Sequence, residues 1–159
     1  EYEFQVLITS NKIKVKRDKS FIFLRPKNLI IGIGCRRKTT KEKIIKTIEM
    51  ALDKADKVIN SVKQLSSIDI KKDEKGLVKA AEELGLPLFF YDRDEILSLQ
   101  DKMRKKGVDL SSSNFVKEMI GVDGVCEQTA LLGGEKTRLI LRKMVNRGVA
   151  IAISQEELL

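Results

Sequence analysis

The sequence has no histidine and no tryptophan, two prolines, two cysteines and only 5% aromatic residues. Without histidine, the Ser-His-Asp triad, the Cys-His dyad and histidine-based zinc sites are all excluded. Proton transfer by this chain must use Asp, Glu, Lys, Tyr, Cys or water. Two thiols, Cys35 and Cys126, in a lysine-rich chain more often stay reduced than pair, and they lie far apart for a shared metal. No structural metal is therefore expected. Few aromatics and no recognition motif argue against a nucleic-acid binder, although the charge would suit one. No apolar run approaches the length that spans a bilayer, so no membrane partner is expected. The chain opens on Glu1 and Tyr2 with neither the charged start nor the apolar core of a signal peptide,. A cytoplasmic location is the expectation, and the missing Met suggests either a piece of a longer chain or a processed one.

What is present is a globular composition: 159 residues, 42% hydrophobic and 34% charged, with a formal net charge of +8. That length suits one domain with a short appendage. The positive field draws anions, but charge alone does not choose among nucleic acid, an anionic surface and a small polycarboxylate. Most lysines read as solvated surface. The exception is Arg25 to Lys46, where Arg25, Lys27, Arg36, Arg37, Lys38, Lys41, Lys43 and Lys46 face a single acid, Glu42.

Tyr2 to Thr9, Ile13 to Lys16 and Phe21 to Leu24 read as short strands of a small antiparallel segment, residues 1–27. The main domain, residues 28–159, begins with Leu29 to Gly34, an apolar run like a strand buried on both faces. Thr39 and Glu42 form a capping-box pattern that opens a helix with the stripe Ile44, Ile45, Ile48, Ala51, Leu52 and Ala55. A second strand within Val62 to Ile70 leads to a helix from Asp73-Glu74 to Leu84, ended by Gly85. Pro87 to Tyr91 is a third strand, and Asp92 or Asp94 caps a third helix towards Lys106. Short helices follow around Phe115 to Ile120 and Val125 to Leu132. Thr137 to Met144 and Val149 to Ser154 form a hairpin through Asn146-Arg147-Gly148. The alternation predicts an α/β fold, a mixed sheet with flanking helices, and a ligand at the carboxyl ends of its strands.

Three constellations bear on chemistry. Gly32, Gly34, Cys35, Arg36 and Arg37 lie between a buried strand and a capped helix. Glycines there admit a close ligand, helix N–H groups attract an anion, and arginines add forked donors. A tight turn with solvated arginines explains the same residues equally well. Neither a dinucleotide fingerprint nor a Walker loop is complete. Cys35 is read as a small packing residue, although the arginines would favour its thiolate. Asp69 and Lys71 share a face if the second strand runs through them, as base and electrophile or as an ordinary salt bridge. Glu127, in the first turn of a helix, suits the helix dipole. Lys143 in the closing hairpin is unremarkable by itself.

Together, these stretches resemble the C-terminal domain shared by the cobalamin-biosynthesis proteins CbiG and CobE. The resembling pieces are Gly32 to Arg37, Ser67 to Leu77, Leu84 to Leu88, Phe115-Val116, Gly121-Val122, Val125 with Glu127 and Ala130-Leu131, and Lys143 with Val149 to Ala152. They occur in the right order from Leu29 to Ile153. Glu3 to Val6 through Leu24 to Lys27 is similar to the middle region joining the halves of CbiG, which CobE does not share. One departure is Lys38, where the family often has glycine.

The resemblance implies a ribonuclease-H-like sheet and a part in cobalt-precorrin-5A hydrolase, which opens a δ-lactone on the macrocycle and releases acetaldehyde. It implies an anionic cobalt-corrinoid intermediate as substrate, with the cobalt carried by that substrate and no cofactor. The N-terminal half of the same protein is the expected partner. A non-catalytic corrinoid-binding module is the alternative. On this reading Asp69, Lys71 and Glu127 are the catalytic candidates, converging on one cleft. Gly32, Gly34, Cys35, Arg36, Arg37 and Lys143 are the substrate-binding candidates.

Overall fold

The computed structural model describes residues 3–16, 20–108 and 125–158. Its body is a five-stranded mixed sheet. In chain order the strands are β3 (Leu29–Cys35), β4 (Val62–Ile68), β5 (Leu88–Tyr91), β6 (Thr137–Asn146) and β7 (Val149–Glu156), arranged β5-β4-β3-β7-β6. β3, β4 and β5 are parallel, while β7 runs antiparallel to both β3 and β6. Every residue of β3 is buried, as its unbroken apolar run predicts for a central strand covered on both faces,.

Among the described residues, two pairs of helices cover the sheet. α1 (Lys41–Lys54) and α2 (Lys75–Leu84) pack Ile44, Ile48, Ala51, Leu52, Leu77, Ala80 and Ala81 against Leu29, Ile31 and Ile33. On the other face, α4 (Cys126–Leu132) sets Cys126 and Ala130 against Ala150 and Ala152, and α3 (Arg93–Lys105) adds Ile96 beside Ile68 and Val125. Gly32 makes the α4 contact possible. A Cβ there would stand 1.8 Å from the Cys126 carbonyl oxygen and 2.8 Å from the Ala130 nitrogen.

The local signals act where the pattern places them, with small shifts. The first helix is capped by Thr40 rather than Thr39, its side chain accepting from the Lys43 N–H. Thr39 instead donates its hydroxyl to the Arg36 carbonyl, closing the preceding loop. Asp92 and Glu95 form a complete capping box on α3. Arg147 and Gly148 both take positive φ, the geometry of a primed hairpin turn,. The expected helix around Phe115 to Ile120 lies outside the described residues.

Two expectations fail. The opening segment is not antiparallel: β1 (Phe4–Ile8) and β2 (Ser20–Leu24) pair in parallel, and Ile13 to Lys16 forms no strand. The intervening chain is long enough to return β2 in the same direction, which a hairpin cannot do. The second strand also ends at Ile68. Asp69–Lys71 is a turn of 3-10 helix, so strand alternation does not apply to Asp69 and Lys71.

Candidate functional site

The carboxyl ends of β3 and β4 open where α1 and α2 begin. The chain leaves β3 at Cys35 and crosses Arg36 to Lys38. It passes Thr39 and Thr40 into α1, within touching distance of the start of α2. A Cβ on Gly76 would lie 1.9 Å from the Thr39 carbonyl oxygen, so glycine is what lets the two helix starts meet. Between them lies a cleft of about 580 Å³ lined by Arg37, Lys38, Thr39, Thr40, Lys41, Glu42, Asp73, Glu74, Lys75, Gly76 and Lys79. Both helices direct N-terminal N–H groups towards this region, which favours an anion.

A buried ion pair supports the loop. Lys71 is 4% exposed and its Nζ lies 3.9 Å from Glu74 Oε1. The other carboxylate oxygen of Glu74 accepts from the Lys38 N–H at 3.1 Å. Lys38 itself has φ of +62°. This left-handed conformation is the physical reason a glycine would be favoured there. Lys41 is engaged by Glu83 at 2.6 Å, and that hydrogen bond raises its pKa.

The structure sorts the sequence candidates. Arg37 lines the cleft, whereas the Arg36 side chain lies along Gly148 of the hairpin turn and the Arg36 backbone N–H donates to the Gly148 carbonyl. Gly32 serves packing against α4, not close approach of a ligand. Gly34 is buried mid-sheet opposite Ala150. The Cys35 side chain is core, and burial pushes its thiol pKa up, with Lys71 pulling the other way. Cys126 is buried too, its thiol pushed up to about 12, chiefly by desolvation. Neither environment makes a ready thiolate.

Asp69, half-buried, and Lys71 lie at the same sheet edge as the cleft without lining it. Glu127 does not join them. It is 1% exposed on the opposite face of the sheet. Its Oε1 accepts from the Lys143 N–H at 2.9 Å and lies 3.1 Å from Arg142 Nε. The β6–β7 ladder slips between Leu141 and Met144, and Glu127 satisfies a donor exposed by that irregularity,. Lys143 thus offers its backbone to Glu127, and its exposed side chain is not among those that line the cleft. The basic cluster is divided as well. Arg25 donates to the Thr9 and Asn11 carbonyls and stacks over Phe23, and Lys27 precedes the opposite end of β3.

Sequence reasoning missed Thr39, Thr40, Lys75, Gly76 and Lys79 as cleft residues. The signal was Gly76, a helix-weakening residue in a first turn, where only close contact explains it. The sheet is mixed and helix-flanked as expected, and no helix among the described residues is long and apolar enough to cross a membrane.

Residues 29–154 match the family model described as cobalamin synthesis G C-terminus. The chain is 30% identical over 156 residues to a Methanocaldococcus jannaschii protein named a probable cobalt-precorrin-5A hydrolase, a match covering 93% of this chain and 46% of that protein. The chain therefore spans less than half the length of that relative. It is 28% identical to protein CobE of Sinorhizobium, covering 79% of each. The crystal structure of cobalamin biosynthesis protein chiG from Agrobacterium tumefaciens superimposes with a TM-score of 0.67 at 26% identity, covering 82% of this chain and 99% of that one.

Proposed function

Because the chain belongs to the cobalamin synthesis G C-terminus family, we propose that it is the substrate-gripping part of a cobalt-precorrin-5A hydrolase. The observation that carries this is the cleft where the α1 and α2 N-termini meet amid Arg37, Lys38, Lys41, Lys75 and Lys79. A corrinoid intermediate is flat and apolar in the middle, with carboxylates around its rim. Helix N–H groups and a guanidinium fork bind such carboxylates. Glu42 and Asp73 interleave with these cations, while Glu74 is turned inward to Lys71 and the Lys38 N–H. The cobalt arrives in the substrate.

Lactone opening requires water to add to the ring carbonyl, a base to take its proton, and donors for the developing oxyanion. Asp69, at the same edge but outside the cleft lining, is the base on this reading, while Glu42 and Asp73 lie among the cleft cations. Lys71 acts through Glu74 to hold the Lys38 turn in place, which makes it a positioning residue. Glu127 supports β6 and takes no part. The remaining contribution comes from the N-terminal half that this reading pairs with the domain.

The decisive assay adds cobalt-precorrin-5A to the chain, alone and together with the unmatched region of the Methanocaldococcus relative, and follows acetaldehyde. Release that requires this chain supports the reading, and the absence of both corrinoid binding and acetaldehyde refutes it. A second reading is a corrinoid-binding module without hydrolysis, favoured by the chain's spanning only 46% of the relative named a probable hydrolase. Corrinoid binding without acetaldehyde in any combination would select it.

A further inference from the structure

The parallel pair β1–β2 stands apart from the five-stranded sheet. Its register places Phe4, Val6 and Ile8 in line with Ser20, Ile22 and Leu24, so all six share one face,. On that face Phe4 is 60% exposed, Val6 54%, Ile8 70%, Ile22 45% and Leu24 50%. This amounts to on the order of 500 Å² of contiguous apolar surface, at the upper end for a monomer. The reverse face is served internally, with Phe21 and Phe23 stacked and Arg25 lying over Phe23. Parallel strands are ordinarily covered on both sides, and a two-stranded sheet alone is marginal in water. The pair has the form of two strands from a larger sheet.

The relatives indicate what completes it. The long Methanocaldococcus protein matches 93% of this chain, whereas the shorter CobE and chiG match 79% and 82%. The share the short relatives leave uncovered is about the size of the segment ahead of Leu29, where the family match begins. The greater coverage belongs to the relative that carries further polypeptide. We propose that the Phe4, Val6, Ile8, Ile22 and Leu24 face is the docking surface for the N-terminal region of the long relatives, which covers it as a β-rich partner. This rests on the reading above, which pairs the domain with an N-terminal half, and identifies the surface that joins them.

The test titrates the chain with the separately produced unmatched region of the Methanocaldococcus relative. Calorimetry measures binding, and hydrogen exchange follows the β1 and β2 amides. A one-to-one complex that slows exchange in both strands is expected. A Val6→Asp, Ile22→Asp double variant should bind at least tenfold more weakly, with the melting temperature of the main domain unchanged. No complex, or one indifferent to the double variant, overturns the proposal. So does a dimer of the chain alone that the double variant abolishes, since a second copy would then be the occupant. The same variant is titrated with cobalt-precorrin-5A, for which unchanged affinity is expected. A chain that binds corrinoid but not the added region refutes only the docking surface. One that binds the region but no corrinoid refutes the substrate reading instead.

Discussion

Replacing Gly32 by alanine separates two meanings of a glycine in the middle of β3. If the residue exists to admit a ligand, Gly32→Ala weakens binding and leaves the fold intact. The structure assigns it to packing. The new Cβ would sit 1.8 Å from the Cys126 carbonyl oxygen and 2.8 Å from the Ala130 nitrogen, both backbone atoms. Ordinary contact requires a shift of roughly 1.7 Å, since non-bonded heavy atoms settle near 3.5 Å. α4 is poorly placed to yield. The Ser154 hydroxyl donates to the Ala130 carbonyl at 2.6 Å, Ala150 and Ala152 pack beneath, and Glu127 holds β6. The cost should therefore reach or pass the top of the usual overpacking range, about 3 kcal/mol. For a domain of this size that corresponds to a fall in Tm of roughly 6–12 °C. Thermal melts followed by circular dichroism measure it. Gly85→Ala is the control. Gly85 has φ of +65° and open space around its Cβ position, so the alanine adds only backbone strain, a cost of about 1 kcal/mol. If Gly32→Ala melts within the error of the parent while corrinoid binding falls, the packing argument is wrong.

Lys38→Gly should raise stability by about 0.5–1 kcal/mol in urea titration, because it relieves a left-handed lysine and keeps the N–H that Glu74 accepts; a loss of stability would show that the lysine side chain matters more than its backbone. Cys35 and Cys126, both buried with raised pKa values, should resist a thiol reagent at pH 8 until urea unfolds the chain, and rapid labelling of the native protein would contradict that. Glu156 is held below its ordinary value of 4.5, first by its hydrogen bond from Lys63. A depressed carboxylate stabilises above its unfolded pKa and loses that contribution as pH falls through its folded value. Glu156→Gln should thus be less stable than the parent at pH 7, and the gap should close below about pH 4.5; a gap that widens in acid would refute the assignment. Glu127→Gln, which keeps an acceptor for the Lys143 N–H, should lose less stability than Glu127→Ala, for which about 1–3 kcal/mol is expected.

The sheet was legible because β3 is an unbroken apolar run, α1 carries a regular stripe, and Arg147-Gly148 is a strong turn signal. The edge that gathers the loop and Lys71 followed from the alternation of strands and helices, which sets where the carboxyl ends of parallel strands open. Residues whose role depends on the third dimension were not legible. Gly32 looks the same in sequence whether a ligand or a helix lies over it. Arg36 and Arg37 are neighbours in sequence, yet only one faces the cleft. Glu127 has the placement of a helix-dipole residue, and nothing local reveals the slip in β6 that it repairs. Asp69 to Lys71 follows strand-like residues, and a 3-10 turn there leaves no mark that alternation detects. The parallel pairing of β1 and β2 was hidden because the hairpin pattern and a longer return share the same strand composition.

The central claim is that the cleft between the starts of α1 and α2 grips the carboxylate rim of a cobalt-corrinoid. Spectroscopic titration of cobalt-precorrin-5A against an Arg37→Ala, Lys75→Ala variant and against Arg36→Ala tests it most directly. A charge-assisted hydrogen bond contributes about 1.5–3 kcal/mol, so losing even one should weaken binding roughly tenfold or more. The account predicts that loss for the Arg37, Lys75 variant and near-parent affinity for Arg36→Ala, whose side chain lies over the hairpin turn. Equal affinity for all three proteins, or a loss confined to Arg36→Ala, would contradict it.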